Sequence, residues 1–182
     1  GDHTARLTSE LAPHRAAAAA AQRGTFHAVH CARLWDERWV VKFGFDPRDC
    51  TLEVYMHQLA AQHRATAWAA RFNQACQRAG LPNRIEYSEV RVASLPDRGP
   101  GVHVLVEPFM EGSFVKYNDN IGAVLGNDEA QAFSHYTYEA SRHTEMMIDL
   151  QGIEGGPYSD ALLHTECGEA FGGGRHGNRG KR

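Results

Sequence analysis

No Cys-x-x-Cys pair, no His-Glu-x-x-His and no long apolar run occurs in this chain, and each absence removes a class of function. The four cysteines stand singly at 31, 50, 76 and 167, a usage that reads as reduced thiols of a cytoplasmic protein rather than a disulfide framework. Eleven histidines are scattered without metal-ligand spacing. No stretch approaches the roughly 18–20 apolar residues that span a bilayer, and no signal-peptide pattern opens the chain, so no membrane segment is expected. The net charge of -3 and a pI near 6.4 leave no electrostatic footprint for nucleic acid. The chain opens on Gly1 and closes at Arg182, which reads as a piece of something longer.

What is there is enough for one sizeable core or two small lobes, with 182 residues and 42% hydrophobic content. Residues 1–22 include six alanines in a row, Ala16 to Ala21, and read as a marginal helix or a disordered lead-in, because an all-alanine face buries little. Phe26 to Arg33 and Arg38 to Phe45 are strand-like, joined by the short Leu34 to Glu37. Over residues 51–79 the apolar positions recur three or four apart, as one long helix or two shorter ones, closed by Gly80 and Pro82. Ile85 to Leu95 and Val102 to Glu107 read as strands around a Pro/Gly-rich turn. Leu105 lies on the side opposite Val104 and Val106, which implies cover on both faces. A polar loop, Lys116 to Asn120, is followed by a helix from Asp128 to about Arg142 capped by Asn127 or Asp128. Glu145 to Leu150 reads as a short buried strand, and everything after Gly152 as glycine-rich loop.

Residues 133–177 carry most of the chemistry. Phe-Ser-His-Tyr-Thr-Tyr-Glu stands at 133–139, Asp149-Leu150-Gln151-Gly152 follows, then an isolated Asp160, then Gly172-Gly173-Gly174-Arg175-His176-Gly177. A carboxylate at a strand end, an amide two residues on and a second carboxylate after a loop suit a hard cation that keeps phosphate among its ligands. Upstream, Lys42 lies inside Trp-Val-Val-Lys-Phe. Between large hydrophobes it must either snorkel to solvent or meet an anion.

The order and wording of these blocks resemble the alpha-kinase family of atypical protein kinases. His-Arg-Asp and Asp-Phe-Gly are missing, which separates the chain from ordinary eukaryotic kinases. The resemblance implies an α+β, two-lobed protein-kinase-like fold with an antiparallel-sheet N-lobe over 23–106, a hinge over 107–112, a mixed C-lobe over 113–182, and ATP in the cleft between. It implies transfer of the ATP γ-phosphoryl to Ser or Thr hydroxyls of a protein substrate, with Asp149 orienting or deprotonating the hydroxyl and Gln151 and Asp160 holding Mg²⁺. Lys42, Lys116 and Asn120 would meet the phosphates, Glu107 and Met110 the adenine, and Arg23 to His27 would form the loop over the nucleotide. Gly172, Gly174 and Gly177 would bind the peptide substrate. His135 resembles the family's first zinc ligand, but the remaining ligands fall beyond Arg182, so the C-lobe reads as incomplete, zinc is not expected to bind, and His135 is expected to be a satisfied core histidine. Asp160 lies eleven residues after Asp149, one more than the family's usual spacing. The competing expectations are a catalytically inactive, nucleotide-binding or interaction module, and a small-molecule phosphotransferase.

Overall fold

The computed structural model describes residues 5–6, 27–34, 36–82, 84–121 and 123–168. The described chain divides into two compact units, Gly1–Leu59 with Glu89–Phe109 and Ala60–Ser88 with Met110–Arg182. The units are therefore interleaved in sequence rather than separated by a single hinge, and residues 60–88 belong with the second.

The first unit is built on a five-stranded sheet in the order β1-β4-β5-β3-β2. β2 (His27–Leu34) and β3 (Glu37–Gly44) form the expected hairpin in full register, from His27 opposite Gly44 to Leu34 opposite Glu37. Asp36, at φ 65°, supplies the left-handed turn residue. β5 (His103–Pro108) lies antiparallel between β3 and β4 (Arg91–Ser94), and β1 (Ala5–Arg6) adds a parallel edge to β4. The alternation of side chains divides the core in two. Trp39, Val41, Ala93, Leu95, Val104 and Val106 pack together, while Val92 and Leu105 join Cys50 and Tyr55 in a separate cluster. Leu105 is 6% exposed and Val104 fully buried, as both-sided cover requires.

α1 (Leu52–Arg78) is one helix of 27 residues. The Thr51 hydroxyl accepts from the Val54 N–H at 3.4 Å at its start. It stops in a Schellman motif: Gly80 takes φ 68°, Leu81 N–H donates to Cys76 O and Gly80 N–H to Gln77 O. Tyr55, on its first part, is fully buried, and its hydroxyl oxygen accepts from Gly44 N–H at 3.0 Å. That burial raises the Tyr55 phenol well above its ordinary range.

In the second unit, Ala65, Trp68, Ala69, Phe72 and Cys76 of α1 pack with Phe133, Met147, Leu150, Tyr158 and Leu163. α2 (Asp128–Ala140) is capped by Asn127, whose Oδ1 accepts from Glu129 N–H and Ala130 N–H. A three-stranded antiparallel sheet runs β6-β8-β9, and a two-stranded one pairs β7 with β10. The strands are β6 (Phe114–Lys116), β7 (Glu145–Ile148), β8 (Gln151–Ile153), β9 (Tyr158–Ser159) and β10 (Leu162–Thr165).

Three expectations are corrected here. The residues after Gly152 are not all loop: β8 runs on to Ile153, β9 contributes Tyr158 and Ser159 to the buried interior, and β10 contributes Leu163. The strand β4 begins at Arg91 rather than Ile85, with a single parallel bridge from Tyr87 to Tyr158 before it. Residues 85–88 are extended, but helix side chains satisfy much of their backbone, with Asn73 bonding both Ile85 N–H and Ile85 O and Gln62 donating to Ser88 O. Tyr158 bonds the same segment from the other edge. The expected polar loop begins one residue late, because Lys116 still belongs to β6.

Candidate functional site

In the first unit, Lys42 on β3 lies opposite Leu105, and Glu107 lies opposite Val40. Directly paired residues share a face, so Lys42 and Glu107 are diagonal neighbours on one side of the sheet. Lys42 Nζ is 2.6 Å from Glu107 Oε1, and both residues are buried, at 6% and 4% exposure. Of the two outcomes open to a lysine among hydrophobes, this one meets an anion rather than snorkelling. Isolated, either charge would cost several kcal/mol to bury; paired, the cost is offset by short-range attraction. Glu107 is thus a strand residue whose carboxylate is engaged by Lys42. Of the segment Arg23 to His27, only His27 is described, where its ring nitrogen lies 3.5 Å from Gln58 Nε2; Arg23 to Phe26 lie outside the described residues.

In the second unit, β6, β8 and β9 bring the remaining groups together. Lys116 pairs in register with Gln151, and Gln151 with Ser159. Antiparallel pairing then sets Asp160 across from Leu150, at the same end of the sheet as Asp149. Lys116 Nζ is 2.5 Å from Asp149 Oδ1, and Gln151 Nε2 donates to Asp149 Oδ2 at 3.4 Å. The Lys116 contact has ion-pair distance without hydrogen-bond alignment, so buried Oδ1 makes no hydrogen bond. Asp149 and Asp160 both take positive φ, 55° and 54°. Such left-handed non-glycine positions cost about 1–3 kcal/mol each and gather where function holds them.

Two residues that sequence reasoning passed over hold this end in place. Asn118 is 3% exposed. Its Oδ1 accepts from Leu150 N–H at 2.7 Å, and its Nδ2 donates to Gln131 Oε1 at 3.1 Å. Gln131 in turn donates to Tyr117 O and Gly126 O. The signal was available in Lys-Tyr-Asn-Asp-Asn, since an amide beside a core tyrosine needs internal partners. Asn120, half-buried, follows in a turn whose backbone is bonded by Asp119 Oδ1. Gly152 is required: a Cβ there would lie 2.3 Å from Pro157 O. Gly155, at φ 69°, then turns the hairpin between β8 and β9 that separates the two acids. Met110 is half-buried. A hollow of about 510 Å³ in this unit is lined by Thr66, Ala70, Asn73, Glu86, Tyr87 and Pro157, among others, and includes none of the predicted site residues.

The donor set of Asp149, Gln151 and Asp160 is all oxygen, and its chemistry fits a hard cation that completes its shell with phosphate and water. Zinc does not fit. His135 sits on α2 between buried Phe133, Ser134 and Thr137, so the helical period turns it outward. It is exposed, not the core histidine expected, and no group of three or more His, Cys, Asp or Glu gathers as a metal site among the described residues. Gly172, Gly174 and Gly177 lie outside the described residues. No described helix is long and apolar enough to cross a membrane.

Comparison with known proteins gives a consistent result. The alpha-kinase family model matches residues 18–182. Human eukaryotic elongation factor 2 kinase is 35% identical over 155 residues, 82% of this chain and 20% of that protein. Myosin heavy chain kinase C of Dictyostelium discoideum is 33% identical over 164 residues, 87% of this chain and 20% of that protein. The alpha-kinase domain of myosin heavy chain kinase A, solved with AMP, superimposes with a TM-score of 0.71 at 35% identity, covering 80% of this chain and 58% of that one. The same domain in an inactive form with ATP gives 0.70 at 34% identity, covering 80% of this chain and 56% of that one. The fold is thus α+β and kinase-like, and the chain spans about a fifth of the length of these curated relatives.

Proposed function

The chain belongs to the alpha-kinase family, and from that premise we propose that it transfers the γ-phosphoryl group of ATP to serine or threonine hydroxyls of a protein. The observation that carries the reading is the end of the β6-β8-β9 sheet, where Lys116, Asp149 and Gln151 meet beside Asp160 on two strained backbone positions. Phosphoryl transfer asks mainly for positioning and charge neutralisation. In this reading Asp149 orients the substrate hydroxyl and accepts its proton. Gln151 and Asp160 would hold Mg²⁺, which, when bound, neutralises phosphate charge. Lys42, Lys116 and Asn120 contact the phosphates, and the segment from Glu107 to Met110 meets the adenine. Gly172, Gly174 and Gly177 belong to the protein-substrate site. Four cysteines outside any disulfide and a need for ATP fit a cytoplasmic place of action, which cell fractionation would check.

The test is incorporation of labelled γ-phosphate into a basic model protein. Transfer should require Mg²⁺, stop on chelation and fall on Asp149→Asn. Binding of ATP without transfer would leave the inactive nucleotide-binding module, a reading favoured by the eleven-residue separation of Asp149 and Asp160. Transfer to small metabolites alone would point to a small-molecule phosphotransferase.

A further inference from the structure

Residues 60–78 of α1 carry Arg64, Arg71 and Arg78 and no Asp or Glu, in a chain whose net charge is -3. The arginines are seven residues apart. Seven residues are nearly two helical turns and about 10 Å of rise, so the three form one stripe. Ala61, Ala65, Trp68, Ala69, Phe72 and Cys76 are buried; the stripe flanks that core-facing side.

Arg64 displays how this stripe binds an anion. Its Nε and one terminal nitrogen donate to the two oxygens of Glu145, at 2.8 and 2.9 Å, and Trp68 Nε1 donates to the same carboxylate at 2.6 Å. Trp68 carries a second guanidinium: Arg71 lies over its ring, 4.2 Å from the centroid, with Arg64 at 5.1 Å. Arg71 and Arg78 are exposed, and neither has a carboxylate partner among the described residues. A guanidinium already held against an indole loses less freedom when its fork closes on an anion. Unlike Arg64, Arg71 therefore presents an oriented donor fork to whatever approaches from outside, and Arg78 extends the exposed charge of the stripe.

We propose that Arg71 and Arg78 form a docking strip for an acidic polypeptide segment whose carboxylates or phosphates are spaced about 10 Å apart, matching the rise between the two arginines. Planar forks recognise both groups in bidentate fashion. The proposal stands independently of the phosphotransfer reading, because neither arginine belongs to that site.

The experiment is fluorescence anisotropy at low salt with a labelled peptide of about twenty residues bearing glutamates at heptad positions. Its partners are a glutamine version and a phosphoserine version. The glutamate peptide should bind at least about ten-fold more tightly than the glutamine peptide, and Arg71→Glu with Arg78→Glu should remove that advantage. Arg71→Lys with Arg78→Lys keeps the charge and should lose about three-fold, because the fork is gone. Tighter binding of the phosphoserine version would support the strip and identify phosphate as the preferred group. ATP-analogue binding, read in parallel, should be unchanged in both variants and shows that they are folded. Equal affinity of the charge-reversed and original proteins would overturn the proposal. So would binding of the glutamine peptide as tightly as the glutamate one, or binding of duplex DNA as tightly as either acidic peptide.

Discussion

Lys42 with Glu107 and Lys116 with Asp149 are the same chemical pair in opposite settings. The first has side chains 7% and 5% exposed on the middle strands of a sheet; the second has side chains 41% and 18% exposed, with its carboxylate on a left-handed backbone position. A buried pair cannot lose one member without stranding the other, whereas water can replace either member of the second. The first pair therefore couples charge to folding, and the second is free to exchange partners during a reaction. Breaking each pair in turn should produce opposite signatures in stability and turnover.

The largest effect is expected from Asp149→Asn. Asparagine keeps the left-handed conformation and the shape, so the unfolding midpoint should stay close to that of the unaltered chain. Removal of the proposed base should lower phosphotransfer by about 10²–10⁴-fold. Initial rates with labelled ATP decide it, and a rate above a tenth of the original would take Asp149 out of the reaction.

Next comes Lys42→Ala, which leaves Glu107 buried without its lysine. Breaking a buried pair from one side costs about 3–5 kcal/mol, so urea unfolding should show a large loss of stability alongside weakened ATP binding. The double variant Lys42→Met, Glu107→Met removes both charges and should recover most of the stability while remaining weak for ATP. Equal stability of the single variant and the original would mean that water reaches this pair after all.

The sequence made the first pair easier to anticipate than the surroundings of the second. Lys42 sits in an apolar strand, and local signals also gave the β2–β3 hairpin and the helical stretch over 51–79, while leaving open whether that stretch was one helix or two and whether Asn127 or Asp128 capped α2. Around Asp149 the determinants are distant. Asn118 holds Leu150 from 32 residues away, and Tyr158 is paired to the segment at Glu86 to Ser88. Gly155, Gly156 and Pro157 punctuate the chain so closely that the short strands on either side read as loop. His135 was expected in the core because the remaining zinc ligands of the resemblance are missing, whereas the helical period assigns it to the outer face. The glycine motif from Gly172 lies outside the described residues, and only its spelling speaks for it.

A smaller effect tests whether the second pair depends on its hairpin. Gly152→Ala would drive a Cβ to 2.3 Å from Pro157 O and 2.6 Å from Tyr158 Cα. Backbone cannot yield as a flexible side chain does, so β8 and β9 must separate at a cost of about 1–3 kcal/mol. Hydrogen exchange should rise at Ile153 and Tyr158, whose amides bond across the hairpin and to Glu86, and turnover should fall because Asp160 loses its register. Protection at Val41 and Val104 in the first unit should not change. Loss of protection in both units together would show that the two pairs belong to one cooperative structure.

The smallest stability effect is expected from Lys116→Ala. Half-exposed ion pairs contribute about 0–1 kcal/mol, and here the contact lacks hydrogen-bond alignment, so the unfolding midpoint in urea should barely move. The functional consequence should be clear all the same. Without the lysine, Asp149 keeps the Gln151 contact as its one side-chain partner among the described residues, and the proposed phosphate contact disappears, so KM for ATP should rise more than kcat falls. Raising salt should narrow the difference between variant and original, since an exposed charge is screened over roughly 10 Å at 0.1 M. A loss of several kcal/mol on Lys116→Ala would instead make this pair as structural as Lys42 with Glu107, and the contrast between a folding pair and a working pair would fail.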